Sequence, residues 1–137
     1  MIGILIITHG HLGDSLVDCA EHVLGQKPDK IATLAISKQD DPAVMITKGQ
    51  ALVAELNSGA GVLVFTDMYG ATPCNVVSAL LQAGAVEGVA GVNMPMLVRA
   101  MTYRHEPLHV LIEKAVSGGR EGVVYFNREQ CERYEPS

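Results

Sequence analysis

The sequence predicts an α/β fold: a single three-layer domain on a mostly parallel sheet of strand order 2-1-3-4. Three observations predict it. Short β-branched runs alternate with stretches of helical periodicity along the chain. Two of those runs, within residues 3–8 and 61–66, are continuously apolar, as strands buried on both faces require. Two of the helical stretches open on Asp-Pro or Thr-Pro, and glycine recurs close to their ends.

The first strand covers residues 3–8, and Leu12, Leu16, Ala20, Val23 and Leu24 then recur at helical spacing before Gly25, a C-terminal cap. The second strand is 31–36. Asp41-Pro42 supplies an N-cap and a proline at the first helical position, and Met45, Leu52, Val53 and Leu56 carry that helix to Asn57, with Gly59 closing it. The third strand, 61–66, runs to Thr72-Pro73, where the same start signal recurs. Val76, Val77, Leu80 and Leu81 share one face of the helix that follows, with Gly84 beyond its end. The fourth strand, 86–92, precedes a short helix within 93–104 entered through Pro95. Leu108, Leu111, Ile112, Ala115 and Val116 form a last helix that stops at Gly118-Gly119, and residues 122–126 form a fifth strand. The domain is therefore 1–126. Residues 127–137 are a polar tail without apolar periodicity, expected to be loosely held.

A chain of 137 residues, 48% of them hydrophobic, can bury the core of one domain. Its longest apolar stretches reach only about seven residues, against the roughly 20 needed to cross a bilayer. No basic segment or cleavage signal opens the chain, so the cytoplasm is the expected compartment, without direct membrane insertion. Cys19, Cys74 and Cys131 are odd in number and form no CxxC pair, so free thiols are expected. A net charge of -5 without a Lys/Arg cluster argues against nucleic acid as a partner.

In an open parallel sheet, ligands bind beyond the carboxyl ends of the strands, where strand order reverses. The first strand delivers Thr8-His9-Gly10 to that edge, the third delivers residues 67–72, and the fourth delivers Asn93-Met94-Pro95. With strands one and three adjacent, His9 and Asp67 come together. A carboxylate that accepts from one ring NH leaves the other nitrogen unprotonated as a nucleophile and stabilises the imidazolium formed on attack. The turn after Asp67 runs straight into a helix whose first-turn NH groups and dipole favour an anion. Pro73 has no NH, so Cys74 and Asn75 supply donors. Gly70 and Ala71 let backbone approach a phosphoryl group, and the Thr72 hydroxyl can cap the helix or contact the anion.

Four segments together carry a resemblance: Ile4-Leu5-Ile6-Ile7-Thr8-His9-Gly10, Asp67-x-Tyr69-Gly70-Ala71-Thr72-Pro73, Gly91-Val92-Asn93-Met94-Pro95-Met96-Leu97, and Gly119-Arg120-Glu121-Gly122. In order and spacing they resemble the mannose-type enzyme IIA family of the bacterial phosphoenolpyruvate-dependent sugar phosphotransferase system. The resemblance extends to about Phe126. It implies that His9 is phosphorylated by the histidine-containing phosphocarrier protein and passes the group to an enzyme IIB, a separate protein. It also implies that Asp67 is the ring partner, that Thr72 and the preceding turn contact phosphate, and that Thr8 and Asn93 to Pro95 line the rim. A homodimer in which residues 122–126 pair with the other subunit's sheet is implied too. Many members carry Gly at the position of Ala71, Ser at Thr72 and Trp at Tyr69, departures that touch the partner-facing rim and leave the reaction class intact. No cofactor is implied.

Several alternatives remain. His9-x-His11 and His105-x3-His109 have spacings found in metal sites, but no acidic or cysteine ligand completes either, and no metal is expected. Cys74 at a helix start has the setting of a redox-sensitive thiol, though a small apolar filler explains it more simply. Met94, Met96 and Met101 read as core filling. No nucleotide-binding glycine loop is present. The phosphocarrier subunit of dihydroxyacetone kinase also uses a strand-end His, usually within Ser-His-Ser. A regulatory phosphoprotein, whose His9 state controls a partner, is a rival of another class; membrane components encoded beside the gene would discriminate.

Overall fold

The computed structural model describes residues 1–133. The elements are β1 (Gly3–His9), α1 (Leu12–Leu24), β2 (Ile31–Ile36), α2 (Pro42–Leu56), β3 (Val62–Thr66), α3 (Thr72–Leu80), β4 (Val86–Ala90), α4 (Met94–Thr102), α5 (Leu108–Glu121) and α6 (Arg128–Arg133). The four strands form one parallel sheet in the order β2-β1-β3-β4, as expected. In register, Ile6 stands beside Thr33 and Phe65, while His9 stands beside Ile36 at the carboxyl edge.

Alternation along the central strands divides the core. Ile4, Ile6, Leu63 and Phe65 pack under Ala20 of α1, Leu97 and Ala100 of α4, and Leu111 and Ala115 of α5. Leu5, Ile7, Val62 and Val64 face Met45, Val53 and Leu56 of α2 and Val76, Val77 and Leu80 of α3. Both faces of β1 and β3 are thus covered, which their continuous apolar runs require. Among the described residues, no helix is long and apolar enough to cross a membrane.

Local signals set several boundaries. Gly25 caps α1 in the left-handed conformation, φ 79°, its NH bonded to the Glu21 carbonyl. Asp41 caps α2 through a bond from the Ala43 NH, with Pro42 in the first turn. The Asn57 side chain then accepts the NH groups of Gly59 and Gly61, organising the turn into β3.

Three expectations need correction, and the run expected to pair with another subunit stands unpaired in the single chain. The helix predicted to stop at Gly118-Gly119 continues through them to Glu121. These glycines serve close packing: a Cβ at Gly118 would stand 2.9 Å from Arg99 Cβ, and one at Gly119 would stand 2.6 Å from Met96 Cε. Contact with α4 compensates their low helix propensity, about 1 kcal/mol each. Residues 122–126 form no strand in the single chain, where Val123, Val124, Tyr125 and Phe126 are all exposed. A strand exists only against a partner edge, and this segment meets none within its own chain. The fourth strand stops at Ala90, because the Gly91 and Val92 NH groups both turn back to the Thr66 carbonyl. Finally, the polar tail contains α6; its remaining residues, 134–137, lie outside the described residues.

Candidate functional site

The carboxyl edge of β1 and β3 brings His9 and Asp67 together. His9 Nδ1 lies 2.8 Å from Asp67 Oδ2, and the same oxygen accepts the His9 backbone NH at 3.1 Å. An ionised carboxylate can only accept, so this contact places a proton on Nδ1 and leaves the lone pair of a neutral ring on Nε2. Burial pushes the Asp67 carboxyl up, but bonds from the His9 ring and NH, with the charge of a protonated ring, outweigh it and hold the group below its usual value. The His9 side chain is 54% exposed and that of Asp67 only 13%, so the carboxylate supports the ring from beneath while the ring meets solvent.

Gly10, at φ 50°, turns the chain out of β1 toward α1, and its NH bonds the Ile36 carbonyl at 2.9 Å. Thr8, expected at the rim, is 1% exposed. Its hydroxyl accepts the Gly13 NH at 2.9 Å and so braces the start of α1 rather than facing a ligand. Neighbouring strand residues point to opposite faces, which sends Thr8 inward when His9 reaches the edge.

The turn after Asp67 leads into α3 as expected, with one change of register. Ala71, not Thr72, is the N-cap, and no side chain caps this helix. The Asn75 NH is consumed by the Ala71 carbonyl at 3.1 Å, so Asn75 is not a free donor. Thr72 and Cys74 carry the first-turn NH groups that no backbone or side-chain acceptor among the described residues takes up. An alanine cap has no side-chain oxygen to offer them, which leaves both for an anion. Gly70 is left-handed at φ 82°, a conformation the turn requires, and a Cβ there would meet no protein atom within 4 Å.

Beside His9 the rim is apolar and open. Tyr69 is 85% exposed and Met68 61%, with Leu12 of α1 also exposed. A cavity of about 510 Å³ lies away from His9, against Ile112, Val116 and Arg120 of α5. An exposed edge of this kind suits a reacting group carried in on another protein better than a free small molecule, which needs enclosure.

Asn93, expected to line the rim, instead caps α4 by accepting the Met96 NH at 2.9 Å and donates to the Gly119 carbonyl at 3.1 Å. It ties the end of β4 to α5. His105 lies in the turn before α5, so it shares no helical face with His109. All three cysteines are free, Cys74 half-buried and the others exposed.

Two features were not anticipated. His11 Nδ1 pairs with Asp14 Oδ2 at 3.1 Å, and Asp14 Oδ1 also accepts the Thr33 hydroxyl from β2. The His11-x-x-Asp14 spacing was visible, whereas Thr33 is brought in only by the sheet. At the opposite edge, Arg104 is 4% exposed and donates to the carbonyls of Ile2, Asp29 and Lys30. Nothing in the sequence around Arg104 signals this staple.

The sequence model of the family described as "PTS system fructose IIA component" matches residues 3–116. The chain is 32% identical over 139 aligned positions to the "PTS system mannose-specific EIIAB component" of Escherichia coli K12, covering 99% of this chain and 43% of that protein. This chain therefore spans less than half the length of the curated relatives it matches. Among solved structures it resembles phosphotransferase system component EIIA from Streptococcus agalactiae, with a TM-score of 0.82 and 27% identity over 92% of this chain and 98% of the other. It also resembles the PTS IIA protein associated with the fucose utilization operon from Streptococcus pneumoniae, with a TM-score of 0.77 and 28% identity over 96% of each chain.

Proposed function

The chain belongs to the mannose-type enzyme IIA family of phosphotransferase-system proteins, and from that premise we propose that it is a phosphocarrier whose His9 Nε2 takes and returns a phosphoryl group. The carrying observation is the 2.8 Å contact between His9 Nδ1 and Asp67 Oδ2. The donor in this reading is the histidine-containing phosphocarrier protein of the system. His9 Nε2 attacks phosphorus, the P–N bond of the donor breaks as a P–Nε2 bond forms, and the donor imidazole leaves with the electron pair. Asp67 holds the Nδ1 proton throughout and stabilises the positive charge that develops on the ring. The free NH groups of Thr72 and Cys74 meet phosphoryl oxygens, with Gly70 and Ala71 shaping the turn that presents them. Return of the group to an enzyme IIB reverses the same steps.

The protein acts in the cytoplasm in this reading and is a homodimer. Support for the dimer comes from the exposed apolar run Val123 to Phe126 and from β4, an edge strand with unpaired backbone groups.

Incubation with phosphoenolpyruvate, the first enzyme of the system and its histidine-containing phosphocarrier protein, followed by mass measurement, tests the proposal. One acid-labile phosphoryl adduct is expected, and it is absent in His9→Gln. Phosphorylation persisting on His11 or His105 in that variant overturns the assignment.

A further inference from the structure

The carboxyl edge holds a second imidazole–carboxylate pair that the phosphoryl transfer just described does not use. His11 Nδ1 lies 3.1 Å from Asp14 Oδ2, and the hydroxyl of Thr33 on β2 donates to the other oxygen of Asp14. The side chains of His11 and Asp14 are 83% and 51% exposed, so the arrangement fills no core. The Thr33 bond first, and His11 second, hold the Asp14 carboxyl below its usual value. An ionised Asp14 keeps the proton of His11 on Nδ1 and leaves Nε2 as the ring's open position.

Charge balance at this edge supplies the need for such a group. The loops at 9–12, 36–42, 66–72 and 90–94 carry Asp40, Asp41 and Asp67 but a single full cation, Lys38. Asp14 and Asp18 on α1 add further negative charge. Asp40 is turned to the Ser37 NH at 2.7 Å. Arg99 of α4, the helix packed along α1, is paired with Glu121 at 2.7 Å. A phosphoryl group on His9 brings about -1.5 to -2 further charges to an imidazole two residues away, whose Cα is within roughly 7 Å of that of His9.

We propose that His11 is the charge-compensating residue of the transfer site: when His9 is phosphorylated, His11 takes up a proton on Nε2, and Asp14 with Thr33 holds the resulting imidazolium at the edge. The inference rests on the reading of His9 as phosphoryl acceptor. The step balances, since the donor's P–N bond breaks, the P–Nε2 bond of His9 forms and water supplies the proton bound by His11. Because that proton belongs to the phosphorylated state, acid conditions favour this state, and the contribution disappears as pH rises.

The test is the equilibrium constant for phosphoryl transfer from the phosphorylated carrier protein, measured by mass between pH 6 and 8.5 for the wild type and His11→Gln. Gln retains a hydrogen-bonding group toward Asp14 but does not titrate, and the titrations of the donor and of the phosphoryl group cancel in the ratio. The ratio of wild type to variant is expected to fall about three- to fivefold across that range. Ring-nitrogen NMR at neutral pH should show more doubly protonated His11 in the phosphorylated protein than in the unmodified one. A pH-independent ratio with His9 still phosphorylated overturns the role of His11. Failure of His9 to accept the group in either protein overturns the underlying reading instead.

Discussion

Asp67 Oδ2 accepts both the ring Nδ1–H and the backbone NH of His9, at 2.8 and 3.1 Å, across 58 positions of sequence. A single oxygen thereby fixes the end of β1 and the orientation of the ring that projects from it. The ring cannot flip to exchange its two nitrogens without breaking a charge-assisted bond.

Asp67→Asn should slow phosphoryl transfer by roughly two to four powers of ten while the fold survives. The amide oxygen can still accept the His9 backbone NH, so the strand end is kept. The amide can also present NH2 to Nδ1 and hold the wrong tautomer, and the developing imidazolium loses its counter-charge. Rapid mixing with the phosphorylated carrier protein measures the rate; a near-normal value would reduce Asp67 to a turn-stabilising residue.

Stability should fall in acid partly through the same carboxylate. Its folded-state value lies below the unfolded one of about 3.9, so its contribution is complete above roughly pH 5 and is lost as pH falls through the folded-state value. Asp14, lowered by its bonds from Thr33 and His11, acts with the same sign. Urea unfolding of wild type and Asp67→Asn should therefore differ most near neutrality and converge below about pH 4. A gap that stays constant down to pH 3 would mean that the charge of Asp67 contributes nothing to folding.

Arg104→Leu should destabilise the protein by about 2–5 kcal/mol, because it removes the buried guanidinium that donates to the carbonyls of Ile2, Asp29 and Lys30, of which the last keeps the Ile4 NH as a donor. Chemical denaturation gives the value. The folded fraction should still accept a phosphoryl group, since this staple lies at the edge of the sheet opposite His9. Wild-type stability in the variant would show that water replaces the guanidinium at no cost.

Removal of residues 123–137 leaves α5 complete and deletes the exposed apolar run. Under the proposed dimer the product should sediment as a monomer or aggregate, whereas the full chain sediments as a dimer. A truncated protein that remains a well-folded dimer would take this segment out of the interface.

Strands, most helix starts and the pairing of His9 with Asp67 were legible in the sequence, because each rests on a short-range rule. Apolar runs, helical spacing, Asp41-Pro42 and Gly25 act within a few residues, and the strand order then carries two strand ends to one crevice. Other features depend on contacts between remote segments that no local pattern reports. The sequence could not say which ring nitrogen of His9 meets Asp67, nor that Thr8 turns inward to hold the Gly13 NH. Gly118-Gly119 read as a helix stop because glycine weakens a helix, but α4 lies so close that only glycine fits, and the helix continues. Thr72 read as a cap from its place before proline, yet the turn from Asp67 positions Ala71 there and leaves two NH groups open. By itself, the sequence determined the layered α/β order and the arrival of His9 and Asp67 at the carboxyl edge, since hydrophobic period and turn chemistry are local. Only the tertiary structure decided tautomer, cap and staple, because each is a hydrogen bond or a close approach whose partner comes from a distant part of the chain.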